Sequence, residues 1–272
     1  MNFSVPSRTD RGARGPQPPT GRVALVTGGG GALGTAVSHR LADDGHHVVV
    51  ADLDLPAAVR TVEDIDARLG PGSASAQQFD VGDPDSVAAL VRDIAANTGR
   101  IDMLINNAAV QRRGGLDELD VEDWDLVMAV NVRGPFLLAK AIRPLWERQG
   151  GGSVVNVSSR VWVAGGPPAY TTSKAALVGL TRSLARELGP IGVVANAVAP
   201  GFLATPFTVA GRGSDEVDAL IEGQASLAPL GRVGTVGEVA DAIAFLVSDR
   251  ATFITGEVLH VCGGGQLAPV AQ

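Results

Sequence analysis

From Arg22 onward, short apolar runs alternate with longer segments of helical period. The runs 23–27, 47–51, 74–79, 101–106, 153–158, 193–197 and 257–261 are rich in Val, Ile, Leu and Ala and show little polar alternation. Strands buried on both faces have this pattern, because helices cover both sides of a parallel sheet. Between them, 33–44, 55–69, 84–98, 122–148, 168–189 and 236–248 carry helix-like spacing. Asp83-Pro84 sets a cap residue ahead of a proline suited to a first helical turn. Seven strands interleaved with helices predict an α/β fold with a doubly wound, seven-stranded parallel sheet. No linker, repeat or shift of composition divides 22–265, so 22–272 reads as a single domain.

Residues 1–21 differ. Pro6, Pro16, Pro18 and Pro19 mix there with Arg8, Arg11 and Arg14, with no apolar stretch of signal-peptide type. A flexible N-terminal tail is expected. Across all 272 residues, 45% are hydrophobic and 19% charged, enough apolar material for a large core. The formal net charge of −7 repels phosphate backbones and anionic lipid, which argues against nucleic-acid and membrane partners. Cys262 is the one cysteine, so no intrachain disulfide forms and a reducing, cytoplasmic setting is expected.

The first chemical signal is the glycine-rich turn between the first strand and first helix. Thr27-Gly28-Gly29-Gly30-Gly31-Ala32-Leu33-Gly34 admits two readings. Gly29, Gly31 and Gly34 satisfy G-x-G-x-x-G; alternatively, Thr27-Gly28 opens a T-G-x-x-x-[G/A]-x-G pattern that closes on Ala32 and Gly34. Either brings the backbone, with Gly28, Gly31, Leu33 and Gly34, against a pyrophosphate at a helix N-terminus, as in Rossmann-type domains. Asp52, followed by Leu53, ends the second strand, where a carboxylate can accept the hydroxyls of the adenosine ribose. The same carboxylate repels a 2′-phosphate, and the glycine run holds no Lys or Arg to offset it, so NAD(H) is preferred to NADP(H). Asp54 competes for the role.

The second signal is Tyr170-Thr171-Thr172-Ser173-Lys174, which places a phenol and an ammonium at i and i+4 on one helix face. A free tyrosine titrates near ~10, too high for a base at neutrality. A nearby cation lowers that value. Lys174 is placed to do so. Ser158-Ser159 ends the preceding strand, and Asn131 lies on the long helix before it. With the Thr27–Gly34 turn, these residues resemble the classical short-chain dehydrogenase/reductase family. The resemblance covers nearly all of 22–265. It takes in Asp80 and Val81 after the third strand, Asn106-Asn107-Ala108-Ala109 after the fourth, Pro200-Gly201 with Leu203 and Thr205, and Ile254-Thr255-Gly256 leading to Gly263-Gly264. It implies an NAD-dependent oxidoreductase acting on a secondary alcohol/ketone pair. Tyr170 would be the general acid/base and Lys174 and Asn131 its proton-relay partners. The substrate oxygen would be held by Ser159, the second of the pair, with Ser158 also open. Asp80, Val81, Asn107, Ala108, Ala109, Pro200, Gly201, Leu203 and Thr205 would join Tyr170 and Lys174 around the cofactor. A homotetramer or homodimer is implied too. The sequence departs from the family at Ala32 and Ala109, where glycines are usual, and between Ser159 and Tyr170, which is about two residues short.

The remaining signals concern substrate. His39, His46, His47 and His260 show no ligand spacing, so no metal is expected, and no G-x-S-x-G elbow points to hydrolysis. Segment 202–227, with Gly211, Gly213 and Gly223, reads as a lid. Phe202, Phe207 and Trp162 would then wall a medium-sized, partly apolar alcohol or ketone, whereas Arg112, Arg113, Arg160 and Arg212 would suit a carboxylate or phosphate. The alternatives are a 3-oxoacyl-thioester reductase and a non-catalytic, NAD-binding regulatory protein.

Overall fold

The computed structural model describes residues 21–112 and 114–267. Most of the predicted tail, the last five residues of the predicted domain and Arg113 therefore lie outside the described residues. Seven parallel strands form one sheet in the order β3-β2-β1-β4-β5-β6-β7. They are β1 (Val23–Thr27), β2 (His47–Asp52), β3 (Ala74–Gln78), β4 (Met103–Asn106), β5 (Gly152–Val157), β6 (Val193–Pro200) and β7 (Val258–Val261). Strand order reverses between β1 and β4, and the crevice outside the carboxyl ends at such a switch point is where a doubly wound sheet binds its ligand.

Neighbouring residues of one strand feed opposite cores. Val23 and Leu25 join the apolar layer that includes Leu138, Ile142 and Trp146. Ala24 and Val26 join the one that includes Val37, Leu41 and Ile243. A period of two through a sheet covered on both faces requires this, and it explains why the runs show no polar alternation. The first layer is built on α3 (Pro84–Thr98), α5 (Gly134–Gln149) and α7 (Pro168–Leu188), the second on α1 (Ala32–Asp43), α2 (Leu55–Leu69) and α10 (Val236–Val247).

The expected helix 122–148 is two helices. α4 (Val121–Met128) and α5 are joined by a π-helical turn at Ala129–Arg133. Pro135, at the first turn of α5, has no N–H to give the Asn131 carbonyl four residues back, which favours the wider turn there, although Pro144 inside α5 leaves that helix continuous. The segment expected as a lid contains the short α8 (Pro206–Val209) and the longer α9 (Ser214–Ser226), and Trp162 stands on a single-turn helix, α6 (Val161–Ala164). Strand ends move by one to three residues, as at β6, which runs on to Pro200.

Candidate active site

The glycine turn resolves in favour of one reading. Gly28 has φ +61, and a Cβ there would lie 2.9 Å from the Ala108 Cα. A Cβ on Gly34 would overlap the Gly28 carbonyl, so the turn and the first helical turn touch backbone to backbone. Gly31 meets nothing closer than the Gly28 oxygen at 3.5 Å, so no contact in the chain demands glycine there. The frame is therefore Thr27-Gly28 through Gly34. Ala32 begins α1 and, like every described non-glycine residue, keeps a negative φ, so its methyl is tolerated. No side chain caps α1 at Gly31. Its first N–H groups and its positive dipole end are thus available to an anion, and the cradle fits a pyrophosphate.

Asp52 is aimed at this cradle. Its Oδ2 accepts from the Gly30 N–H at 2.9 Å and its Oδ1 from the Asp54 N–H at 3.0 Å. Asp54, the competing carboxylate, caps α2 by accepting from the Ala57 N–H at 3.2 Å. Leu53 is exposed beside Asp52. Asp80 closes a turn by accepting from the Gly82 N–H at 2.8 Å, and Val81 turns its side chain into the core.

Asn107 is turned inward: its Nδ2 donates to the carbonyls of Thr27 (2.9 Å) and Gly28 (3.0 Å). The Thr27 Oγ1 in turn accepts from the N–H groups of Asn107 and Ala108, each at 3.0 Å. These bonds tie the end of β4 to the glycine turn, a role for Thr27 that its position ahead of Gly28 signals only once the two strands are paired. Ala109 needs no glycine, its φ being negative. Gly201 is required, since a Cβ would lie 2.9 Å from the Cys262 Cα. Leu203 is buried in the second core layer, and Thr205 caps α8, its N–H donating to the Thr208 Oγ1 at 3.0 Å.

Tyr170 and Lys174 sit on the first turns of α7, with the Lys174 Nζ 5.4 Å from the Tyr170 ring centroid. Lys174 is 2% exposed, and its ammonium donates to the Val157 carbonyl at 2.7 Å. The two serines separate cleanly. The Ser158 hydroxyl is buried and donates to the Lys174 carbonyl at 2.8 Å, whereas the Ser159 hydroxyl accepts from the Val161 N–H at 3.4 Å and lies on the Tyr170 side, where it pulls the phenol's proton affinity down. Asn131, in the π turn, donates from Nδ2 to the Val110 carbonyl (3.0 Å) and the Ser173 Oγ (3.0 Å), while its Oδ1 accepts from the Val110 N–H (2.9 Å). Ser173 passes the link on, its hydroxyl donating to the Tyr170 carbonyl at 2.7 Å. Ser173 is the residue that sequence reasoning missed; the small hydroxyl between Tyr170 and Lys174 was its signal.

One expectation is corrected. Burial pushes the Tyr170 phenol up to about 12, against a downward pull from the Ser159 hydrogen bond, and burial alone brings the Lys174 ammonium down to about 7. The ammonium is itself desolvated and committed to a carbonyl, so in the cofactor-free protein Lys174 does not make Tyr170 more acidic.

Around this centre, the Phe207 ring stands 6.2 Å from the Tyr170 ring, tilted by 47°. Trp162 stacks on His260 at 5.8 Å and its Nε1–H donates to the His260 Nε2 at 3.1 Å. Arg112 is paired with Asp123 at 2.6 Å. Phe202 is half-buried next to Gly201. Among the described residues no group of three or more His, Cys, Asp or Glu could hold a metal ion, and no helix is long and apolar enough to cross a membrane.

A family profile described as enoyl-(acyl carrier protein) reductase matches residues 30–266. A (2S)-[(R)-hydroxy(phenyl)methyl]succinyl-CoA dehydrogenase subunit of Thauera aromatica is 38% identical over 251 residues, covering 90% of this chain and 97% of its own. The chain is a classical short-chain dehydrogenase/reductase. A 3-oxoacyl-[acyl-carrier-protein] reductase of Thermotoga maritima is 36% identical over 249 residues, covering 90% of this short-chain dehydrogenase/reductase and 97% of that enzyme. Among solved structures, levodione reductase superposes with a TM-score of 0.86 at 30% identity, over 90% of this chain and 97% of its own. The 3-ketoacyl-(acyl-carrier-protein) reductase of Brucella melitensis, complexed with NADH, gives 0.83 at 30% identity, over 91% and 99%. The protein is thus an oxidoreductase that uses a nicotinamide cofactor.

Proposed function

We propose that this short-chain dehydrogenase/reductase interconverts a secondary alcohol and a ketone with NAD(H), and that Ser159, Tyr170, Lys174 and Asn131 carry the proton chemistry. The observation that carries the reading is the division of labour at the end of β5: the Ser158 hydroxyl is taken up by the Lys174 carbonyl, which leaves Ser159 as the hydroxyl that acts on the buried Tyr170 phenol. A substrate oxygen placed between the Ser159 and Tyr170 hydroxyls receives two hydrogen bonds. The bound nicotinamide supplies or accepts the hydride. Tyr170, held protonated by burial, donates its proton to the carbonyl oxygen during reduction and takes one back during oxidation. Lys174, near neutrality in its proton affinity, replaces that proton, and Asn131 fixes the helix on which both stand through Ser173.

Asp52 supports NAD(H) over NADP(H), because its carboxylate is held at the cradle by two N–H groups. Gly28, Gly31, Leu33, Gly34, Asp52, Leu53, Asp80, Val81, Asn107, Ala108, Ala109, Pro200, Gly201, Leu203 and Thr205 are assigned to the cofactor cleft. Of these, Val81, Asn107 and Leu203 contribute backbone and framing, since their side chains face inward. Phe202, Phe207 and Trp162 are assigned to the substrate wall.

Two relatives whose printed names carry acyl thioesters favour a second substrate reading, a 3-oxoacyl thioester reduced with NADH. A homotetramer or homodimer, formed on α4, α5 and α7 where Leu126 and Phe136 are exposed, and a cytoplasmic location complete the assignment. The test follows nicotinamide absorbance over a panel of secondary alcohols, ketones and 3-oxoacyl thioesters with both cofactors, in wild type and Tyr170→Phe. Turnover with NAD(H) that falls about 10²–10⁴-fold in Tyr170→Phe is expected. Cofactor binding without turnover on any panel member would instead favour a regulatory binding protein.

A further inference from the structure

α9 is an odd helix. Its inward stripe is Val217, Leu220, Ile221 and Gln224, spaced as one helical face, yet none of its residues is buried. Apolar packing therefore does little to fix its place. Its base is seated: the Leu230 N–H donates to the Gly263 carbonyl at 3.2 Å, and Gly264, at φ +86, leaves room for Pro229, which a Cβ would approach to 2.8 Å. The body of the helix is held by one side chain from outside the lid. The Arg160 Nη2 donates to the Gln224 Oε1 at 2.7 Å, and its Nη1 donates to the Gly265 carbonyl at 3.2 Å. The Arg160 N–H donates to the Pro200 carbonyl at 2.9 Å, so the arginine is anchored at the end of β6 next to Ser159. No carboxylate pairs with Arg160 among the described residues. Arg160, Gln224 and Gly265 enclose, with Leu227 and Cys262, a cavity of about 10 Å³, room for roughly one water. In the free protein the Arg160 guanidinium thus donates to the lid and the C-terminal turn.

We propose that Arg160 is a positioning residue, a latch that fastens α9 to the end of β6 and the C-terminal turn. The proposal rests on the assignment of Ser159 and Tyr170 to the reaction, but the latch itself is read without substrate. Because the latch sets how often the lid is shut rather than the chemistry under it, its loss should act on KM.

The test is amide hydrogen exchange across α9 in the free enzyme, with steady-state kinetics beside it, for Gln224→Leu, Gln224→Glu, Arg160→Met and the pair Arg160→Met/Gln224→Glu. Gln224→Leu is expected to speed exchange in α9 about tenfold, the factor one charged hydrogen bond commands, and to leave the sheet amides unchanged. It should raise KM by a similar factor while kcat stays within about twofold. Gln224→Glu converts the contact to an ion pair and should slow exchange in α9, but not in the Arg160→Met background. Unchanged exchange in Gln224→Leu, or slowing by Gln224→Glu without Arg160, overturns the latch. Changed exchange without any turnover on the panel would leave the latch standing and remove the reaction assigned to the site.

Discussion

The proposed preference for NAD(H) rests on one side chain, and Asp52→Asn tests it quantitatively. In the wild type both Asp52 oxygens accept from N–H groups, of Gly30 at 2.9 Å and Asp54 at 3.0 Å, so the carboxylate cannot swing away from the cradle. Two unit charges about 4 Å apart repel by ~1 kcal/mol in water and ~4 kcal/mol at an effective dielectric constant of about 20. Asp52 is half-buried, which puts its repulsion of a 2′-phosphate between those limits, at about 2–3 kcal/mol, or roughly 30- to 150-fold against NADPH. The asparagine removes the charge and leaves one acceptor oxygen for two N–H groups. NADH binding should weaken about tenfold and NADPH binding should strengthen about tenfold, so the ratio of the two dissociation constants falls about 100-fold. Fluorescence titration of the reduced cofactors measures both constants, and raising salt should shrink the wild-type ratio. Asp54→Asn is the control, because that carboxylate faces the Ala57 N–H and the start of α2. An unchanged ratio in Asp52→Asn, or a larger shift in Asp54→Asn, refutes the reasoning.

Three further outcomes follow from the same geometry. Ser159→Ala should lower kcat about 100-fold with thermal stability unchanged, whereas Ser158→Ala should keep activity within about tenfold and cost ~1 kcal/mol of stability, read by urea unfolding; equal kinetic losses would dissolve the distinction. Burial brings Lys174 from 10.5 when free down to about 7 when folded, so between those values the unfolded chain holds a proton that the folded chain does not, and cofactor-free stability rises with pH across that window, by up to roughly 5 kcal/mol. Lys174→Met should flatten that slope in urea unfolding at about pH 7 and about pH 10; a slope as steep as wild type would show another group sets it. Gly34→Ala should abolish cofactor binding in a titration, since its Cβ overlaps the Gly28 carbonyl, while Gly31→Ala, which meets only an oxygen at 3.5 Å, should bind within about tenfold of wild type.

Much of this was legible in the chain because each signal is local. Strands covered on both faces must be apolar along their buried stretch, and 23–26 of β1, 48–51 of β2 and 103–105 of β4 are. The turn at Gly28 and the Tyr170/Lys174 face are set by neighbours a few residues apart. The misses are of two kinds. The π turn is only half signalled: Pro135 and Pro144 both lie in 122–148 without an N–H to give, and only the first coincides with a break. The Arg160 contacts had no such signal, because Gln224 and Gly265 lie 64 and 105 residues away in sequence and nothing in either residue type announces the pairing. The resemblance puts Asn107 at the cofactor; that its amide turns back to Thr27 and Gly28 depends on the pairing of β1 with β4, which no local pattern encodes.

The proton-handling groups share a further trait. Lys174 donates to the Val157 carbonyl, Asn131 bonds both backbone groups of Val110, and Ser173 donates to the Tyr170 carbonyl, so the site is organised by neutral backbone partners. A carboxylate beside Lys174 would hold the ammonium charged through the physiological range. A carbonyl orients it without fixing its charge, and burial then lowers its proton affinity to about 7. Tyr170, pushed the other way to about 12, keeps its proton at neutral pH, as the proposed reaction requires. The same desolvation thus makes one group an available acceptor and the other a protonated donor, within one turn of α7. Environments that push two pKa values in opposite senses are how a single site assigns acid and base roles.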